Sequence, residues 1–159
     1  MKELSLAIIC KNNKVLLGFK KRGFGAGRWN GFGGKQDVGE TIEETTKREL
    51  FEEAGIVADD CEKIGILNFK FEDETDDLQV HIFRIDNFSG EPIETEEMKP
   101  QWFDEKDIPF DKMWADDILW FPLFLRRKKF KGEFIFEHPS NPSSAGKIIS
   151  QKLEEVNKF

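Results

Sequence analysis

Three glutamates, Glu49, Glu52 and Glu53, fall within roughly 100° of one another on one face if their segment is helical. A charged helix face ordinarily gains ion pairs four residues apart, and the start of the segment offers them: Glu43 precedes Lys47, and Glu44 precedes Arg48. The later glutamates do not. Glu53 stands four residues beyond Glu49, while Ile56 and Val57 stand four beyond Glu52 and Glu53. Only Arg48, in the less favourable order, reaches Glu52. Like charges at this spacing cost ~0.2–0.5 kcal/mol per pair, and the C-terminal end of a helix dipole also disfavours anions. Carboxylates crowded in this way call for a cation that the local sequence does not supply. Their hard oxygens suit Mg²⁺, with Mn²⁺ as a substitute, and do not suit zinc.

Other residues could complete a site for an anionic ligand. Lys20, Lys21, Arg22 and Arg28 form a dense basic cluster, which reads as solvated charge in a loop or as a means of steering a phosphate group. Gly33 and Gly34 allow the backbone to approach a phosphate closely. Asn30 offers both a donor and an acceptor. Asp116 and Asp117 precede an apolar segment and read first as a helix N-cap and a first-turn acid. Phe24, Phe69, Phe71, Met98 and Trp114 could sandwich a planar ring, although alternate strand residues such as Phe69 and Phe71 are more often core. Glu97 alone reads as a solvated loop acid.

The acidic segment resembles a known family. Gly34, five residues, Glu40, seven residues, Arg48-Glu49-Leu50, one residue, Glu52-Glu53, one residue and Gly55-Ile56 match the Nudix box at every specified position. By average residue usage a chance match at one start point is on the order of 10⁻⁹ to 10⁻¹⁰. The stretch Lys20-Lys-Arg-Gly-Phe-Gly-Ala-Gly-Arg-Trp-Asn-Gly-Phe-Gly-Gly-Lys35, with Glu96-Glu97-Met98-Lys99-Pro100 and Met113-Trp114-Ala115-Asp116-Asp117, is similar to the branch that hydrolyses oxidised purine nucleoside triphosphates such as 8-oxo-dGTP and 2-hydroxy-dATP. The likeness covers roughly residues 4–136.

The resemblance implies a Mg²⁺-dependent enzyme that releases the monophosphate and pyrophosphate and so cleans the nucleotide pool. Metal would be held by Glu49, Glu52, Glu53, Glu97 and the Gly33 carbonyl, with Glu53 orienting or deprotonating water. Arg48 would orient a carboxylate rather than touch substrate. The purine would be read by Asp116, Asp117 and Asn30 within a pocket of Phe24, Phe69, Met98 and Trp114. Lys20, Phe32, Gly33, Gly34 and Lys35 belong to the matched substrate-binding stretch, and Ser5 stands where the branch usually has Thr. Two alternatives stay open: Nudix chemistry on another nucleotide, such as an alkylated purine triphosphate or a dinucleotide, and a non-catalytic nucleotide-binding module. The intact glutamate trio argues against the module, because a pure binder has no need of that repulsion.

The elements that must position these groups follow from periodicity and turn chemistry. Residues 4–10 and 15–19 read as strands joined by a turn, 20–30 as a loop and 30–34 as a short Gly-rich strand. Residues 42–54 read as a helix with Thr41 and Glu44 as a capping box and Gly55 beyond its end. Residues 64–71 and 78–85 form a hairpin across an acidic turn, 87–97 a loop and 101–103 a strand. Residues 117–128 form a second helix and 133–137 a last strand. The pattern predicts an α+β protein of the Nudix fold, a mixed sheet packed between helices in an α/β/α sandwich. All 159 residues form one domain, with a mobile tail over about 138–159.

Composition sets the remaining limits. With 24 Lys and Arg against 31 Asp and Glu, the net charge is −7, unsuited to non-specific nucleic-acid binding. The apolar runs are far shorter than a bilayer needs. Cys10 and Cys61 sit in no zinc spacing and read as reduced, half-buried thiols. The expectation is a cytoplasmic monomer acting on a small purine nucleotide, without nucleic-acid or membrane partners; mitochondrial and nuclear pools are also compatible.

Overall fold

The computed structural model describes residues 1–72, 76–137 and 146–159. Within them, eight strands form one mixed sheet in the order β10-β9-β5-β6-β1-β2-β3, with β8 also paired to β2. The strands are β1 (Lys2–Lys11), β2 (Lys14–Lys20), β3 (Trp29–Asn30), β5 (Glu62–Phe71), β6 (Leu78–Ile85), β8 (Met98–Asp104), β9 (Phe130–Phe136) and β10 (Ile148–Glu155). Short β4 (Val57–Ala58) and β7 (Phe88–Ser89) pair separately. β1 runs parallel to β6, and β5 parallel to β9.

The period-2 pattern of β1 explains the layering. Ile8 and Cys10 enter one core, together with Trp120, Phe121 and Phe124 of helix α2 (Asp117–Leu125). Ala7 and Ile9 enter a second core on the other face, with Leu50 and Ala54 of helix α1 (Ile42–Ala54). Each helix thus covers one face of the central strands, as the sandwich reading requires. Burying a Phe or Leu fully is worth about 1.5–3 kcal/mol, and Phe130, Phe134 and Phe136 are all buried on the α2 side.

Helix α1 starts and stops where its sequence directs. Thr41 accepts from the Glu44 amide, Glu44 answers to the Thr41 amide, and Gly55 closes the helix in the left-handed region at φ 70°. The ion pairs differ from expectation. With Glu44 bound at the cap, Arg48 turns instead to Glu40, at 2.7 Å.

Other boundaries move. Helix α2 ends at Leu125 rather than 128, because Arg127 adopts a left-handed φ of 56°. The 30–34 strand is reduced to β3 and isolated bridges of Phe32 to Ala7 and Lys35 to Leu4. The tail is not mobile throughout, since β10 pairs antiparallel with β9. The rest of that expectation falls on 138–145, and part of the acidic turn on 73–75, both outside the described residues. Both cysteines are free, and burial pushes the Cys10 thiol up to about 12. Among the described residues, no helix is long and apolar enough to cross a membrane.

Replacing Thr41 by Ala removes the cap acceptor and should cost about 1 kcal/mol. Calorimetry should show this as a Tm lower by roughly 2–4 °C for a domain of this size; an unchanged Tm would mean that the cap contributes nothing.

Candidate active site

The C-terminal half of α1 meets the loop after β3 at very short range. A Cβ on Gly33 would lie 1.8 Å from the Ser5 carbonyl oxygen, so only glycine fits. That approach lets the Gly33 amide donate to Glu53 Oε1 at 2.8 Å. A Cβ on Gly34 would lie 2.6 Å from Glu49 Oε1. The two glycines therefore pass beside the two carboxylates with no side chain between.

Burial is the main reason that the Glu53 carboxyl, 5% exposed, is pushed up to about 8; Glu49 and Glu97 add to it, while the Gly33 amide and Lys20 oppose it. Glu49 is raised as well, chiefly by burial and then by Glu52 and Glu97, against the pull of Arg48. Glu52 is more exposed, at 3.3 Å from Arg48. Arg48 also contacts Glu49 at 3.0 Å and Asp37 at 3.3 Å. Its bidentate hold on Glu40 keeps that carboxyl down at about 2. Arg48 thus orients carboxylates.

As they stand, no three Asp, Glu, His or Cys side chains among the described residues converge to hold an ion. The donor set nevertheless fits a hard cation. The charges of Glu49 and Glu97 add to the raised proton affinity of Glu53, those of Glu52 and Glu97 to that of Glu49, and Gly34 leaves the space beside Glu49 open.

A cavity of about 180 Å³ adjoins this cluster. Glu53, Lys20, Gly33 and Gly34 line it, and so do Ser5, Phe24, Asn30 and Phe69. Met98, Trp114, Asp116 and Asp117 complete the expected set. Two expected residues are elsewhere. Phe32 is fully buried in the α1-side core, because strand alternation turns its ring away from the cavity. Lys35 is exposed and offers its carbonyl to Arg48 at 3.4 Å. The sequence reading missed Leu67, Leu78, Val80 and Phe136, which line the cavity from neighbouring strands; their alternation was visible, but strand order was not.

Asp116 takes the N-cap position of α2 and Asp117 stands in its first turn, as expected, but the pair does more than cap. Asp116 has helical φ and ψ and makes no side-chain cap bond; its Oδ2 accepts from Trp120 Nε1 at 2.8 Å. Asp117 is 3% exposed, and its Oδ2 has no hydrogen-bond partner among the described residues. Burial raises both carboxyls, Asp117 well above the usual range, because it also lies beside Asp116. One proton held on Asp117 and donated to Asp116 would relieve the repulsion between them, with Asp117 Oδ2 still without a partner among the described residues.

The basic cluster divides: Lys21 and Arg22 are exposed loop charges paired with acids, whereas Arg28 is buried. Lys21 pairs with Glu94 and donates to the Thr95 carbonyl at 2.8 Å. Arg22 lies 3.5 Å from both Glu96 and Glu97. Arg28 is buried, with its guanidinium carbon 4.0 Å from the centre of the Trp114 ring, and Trp114 stacks on Phe24 at 5.4 Å.

A Gly-flanked carboxylate helix beside an aromatic cavity on a mixed sheet defines a Nudix domain, and the NUDIX domain family model matches residues 1–124. The chain belongs to this family of hydrolases. It is 54% identical to the oxidized purine nucleoside triphosphate hydrolase of Danio rerio, over 98% of this chain and 96% of that one. It is 49% identical to the protein of the same name from Mus musculus, over the same shares. Among solved structures, a mutator MutT protein from Bacillus halodurans superimposes with a TM-score of 0.81 at 27% identity, covering 97% of this chain and 98% of that one.

The two glycines separate stability from activity. Gly34→Ala meets only the flexible end of Glu49, so Tm should hardly change while the hydrolytic rate falls by up to ~10²-fold through the displaced carboxylate. Gly33→Ala meets backbone and should destabilise the fold outright. Full activity in folded Gly34→Ala would remove Glu49 from the mechanism.

Proposed function

We propose that this protein hydrolyses oxidised purine nucleoside triphosphates, such as 8-oxo-dGTP and 2-hydroxy-dATP, to the monophosphate and pyrophosphate, with Mg²⁺ as its cofactor and Mn²⁺ as a substitute. One observation carries the reading: a single cavity is lined both by Glu53 and Lys20 and by the buried Asp116 and Asp117. Phosphate chemistry and purine recognition therefore share one chamber. The names of the Danio rerio and Mus musculus relatives point to the same substrate class. The protein acts as a cytoplasmic monomer in this reading, without nucleic-acid or membrane partners.

Glu49, Glu52, Glu53, Glu97 and the Gly33 carbonyl would hold Mg²⁺, which when bound supplies charge neutralisation on the phosphate oxygens. Glu53, held by the Gly33 amide at the cavity wall, would orient the attacking water or take its proton. Lys20 meets the phosphates at the cavity wall, and Arg48 keeps Glu49 in place. Phe24, Phe69, Met98 and Trp114 exclude water around the purine.

At the base, the Watson–Crick edge of 8-oxoguanine presents one acceptor, O6, and donors at N1 and N2. An ionised aspartate can only accept, whereas a protonated one also donates. Asp116 and Asp117 together offer both, and Asn30 adds a third polar group. Moving the shared proton lets the same pair read an oxidised adenine. Ser5, whose buried hydroxyl oxygen has no partner among the described residues, adds a further polar group at the wall.

Pyrophosphate and monophosphate release should be measured across a panel of oxidised, alkylated and ordinary purine triphosphates and a dinucleotide, with Mg²⁺ and with excess chelator. The reading expects the oxidised purines to lead and chelator to abolish turnover. Equal turnover in chelator would exclude the metal role, and binding without turnover would leave a nucleotide-binding module.

The aspartates give a second test, with a definite sign in pH. Their folded-state proton affinity is raised, so the stability they contribute is complete below about pH 4, the unfolded value. It is lost as pH rises through the folded values. The Tm of Asp117→Asn should therefore gain on the parent with increasing pH. The ratio of kcat/KM for the two oxidised purines should also shift in Asp116→Asn and Asp117→Asn, each differently. A pH-independent Tm difference with an unchanged ratio would reduce the pair to a structural feature.

A further inference from the structure

The loop before β8 caps the carboxylate end of α1. The last four carbonyls of a helix have no partner within it, and two of these are met from one short segment. The Ile93 amide donates to the Ala54 carbonyl at 2.9 Å. The Thr95 hydroxyl donates to the carbonyl of Glu53, at 3.1 Å. That hydroxyl also accepts from the amides of Met98, at 3.2 Å, and Glu97, at 3.4 Å. A threonine hydroxyl has one donor and two acceptor positions, so all three are used.

The Thr95 backbone is equally committed. Its amide donates to the Met98 carbonyl at 2.9 Å, and its carbonyl accepts from Lys21 Nζ at 2.8 Å. Lys21 in turn donates its amide to the Glu97 carbonyl at 2.8 Å. One side chain therefore ties together the helix end that bears Glu53, the turn that presents Glu97, and Met98 on the cavity wall.

We propose that Thr95 is a positioning residue for the reaction: its hydroxyl fixes the Glu97–Met98 turn against the end of α1, so that the Glu97 carboxylate faces Glu49 and Glu53. The proposal rests on the reading of the site as a metal-dependent hydrolase. Valine at this position keeps the shape of threonine and leaves two amides and one carbonyl without their partner. Serine keeps all three bonds.

The test compares Thr95→Val and Thr95→Ser with the parent. Mn²⁺ affinity of the nucleotide-free protein is read from the electron paramagnetic resonance of the unbound ion, alongside kcat and KM for 8-oxo-dGTP and Tm. Thr95→Val should lose about 10- to 100-fold in Mn²⁺ affinity and in kcat, the usual range for a group that orients a ligand. KM should change far less, and Thr95→Ser should stay close to the parent. A Val variant that loses only Tm, or a Ser variant as impaired as Val, would overturn the proposal. In the parent, the Glu97 and Met98 amides should exchange slowly with deuterium; exchange at free-peptide rates would overturn it even if the Val variant does not fold. Should the parent fail to hydrolyse 8-oxo-dGTP, the functional reading fails, while Mn²⁺ affinity and amide exchange still decide the role of Thr95.

Discussion

Mutual repulsion among the carboxylates at the end of α1 is the constraint that organises this molecule. Glu49 and Glu53 are both raised in proton affinity, in part by neighbouring glutamates, and both belong to a helix with no basic residue in its last turn. Several devices hold the arrangement. Arg48 neutralises Glu49 and Glu52 on the helix and Glu40 before it. The Gly33 amide reaches Glu53, which demands a loop without side chains against β1. The loop from Ile93 to Thr95 caps the helix end and carries Glu97 into place. Burial then keeps proton affinity high, which is the state a divalent cation would relieve.

The other end of the cavity repeats the principle with a different solution. Asp116 and Asp117 are buried beside each other with raised proton affinity, so a shared proton would resolve their repulsion. Trp120 fixes Asp116 from within α2, while Asp117 keeps an oxygen without a partner among the described residues. A buried polar atom left in this way costs stability, and a ligand able to hydrogen-bond there recovers it. The aromatic wall is stiff where it matters: Trp114 is held between neighbouring groups, with Arg28 against its ring and Phe24 stacked on it.

Local signals made α1 legible in the sequence, because its capping box, Gly55 and glutamate spacing are all contained within a short segment. The mixed sheet and the antiparallel pairing of β5 with β6 followed from alternation and turn chemistry. What was not legible depends on distant partners. β10 is a strand because β9 offers it an edge, and its own residues alternate only weakly. Arg28 looked like loop charge, yet a tryptophan far along the chain receives it. Phe32 lies in a stretch expected to bind substrate, but its ring belongs to the core on the α1 side. Asp116 does take the N-cap position, and only the missing cap bond and the contact from Trp120 show that its carboxylate serves elsewhere. Thr95 gave no signal at all, since its three hydroxyl bonds join its own turn to the distant end of α1.

The most direct measurement of the central claim, that one cavity serves both chemistries, is a crystal structure of the Glu53→Gln protein with 8-oxo-dGTP and Mg²⁺. The account predicts the purine edge on Asp116, Asp117 and Asn30, its ring between Phe69, Met98 and Trp114, and the triphosphate beside Lys20 with Mg²⁺ on Glu49, Glu52 and Glu97. A purine bound outside the cavity, or a triphosphate directed away from α1, would contradict it.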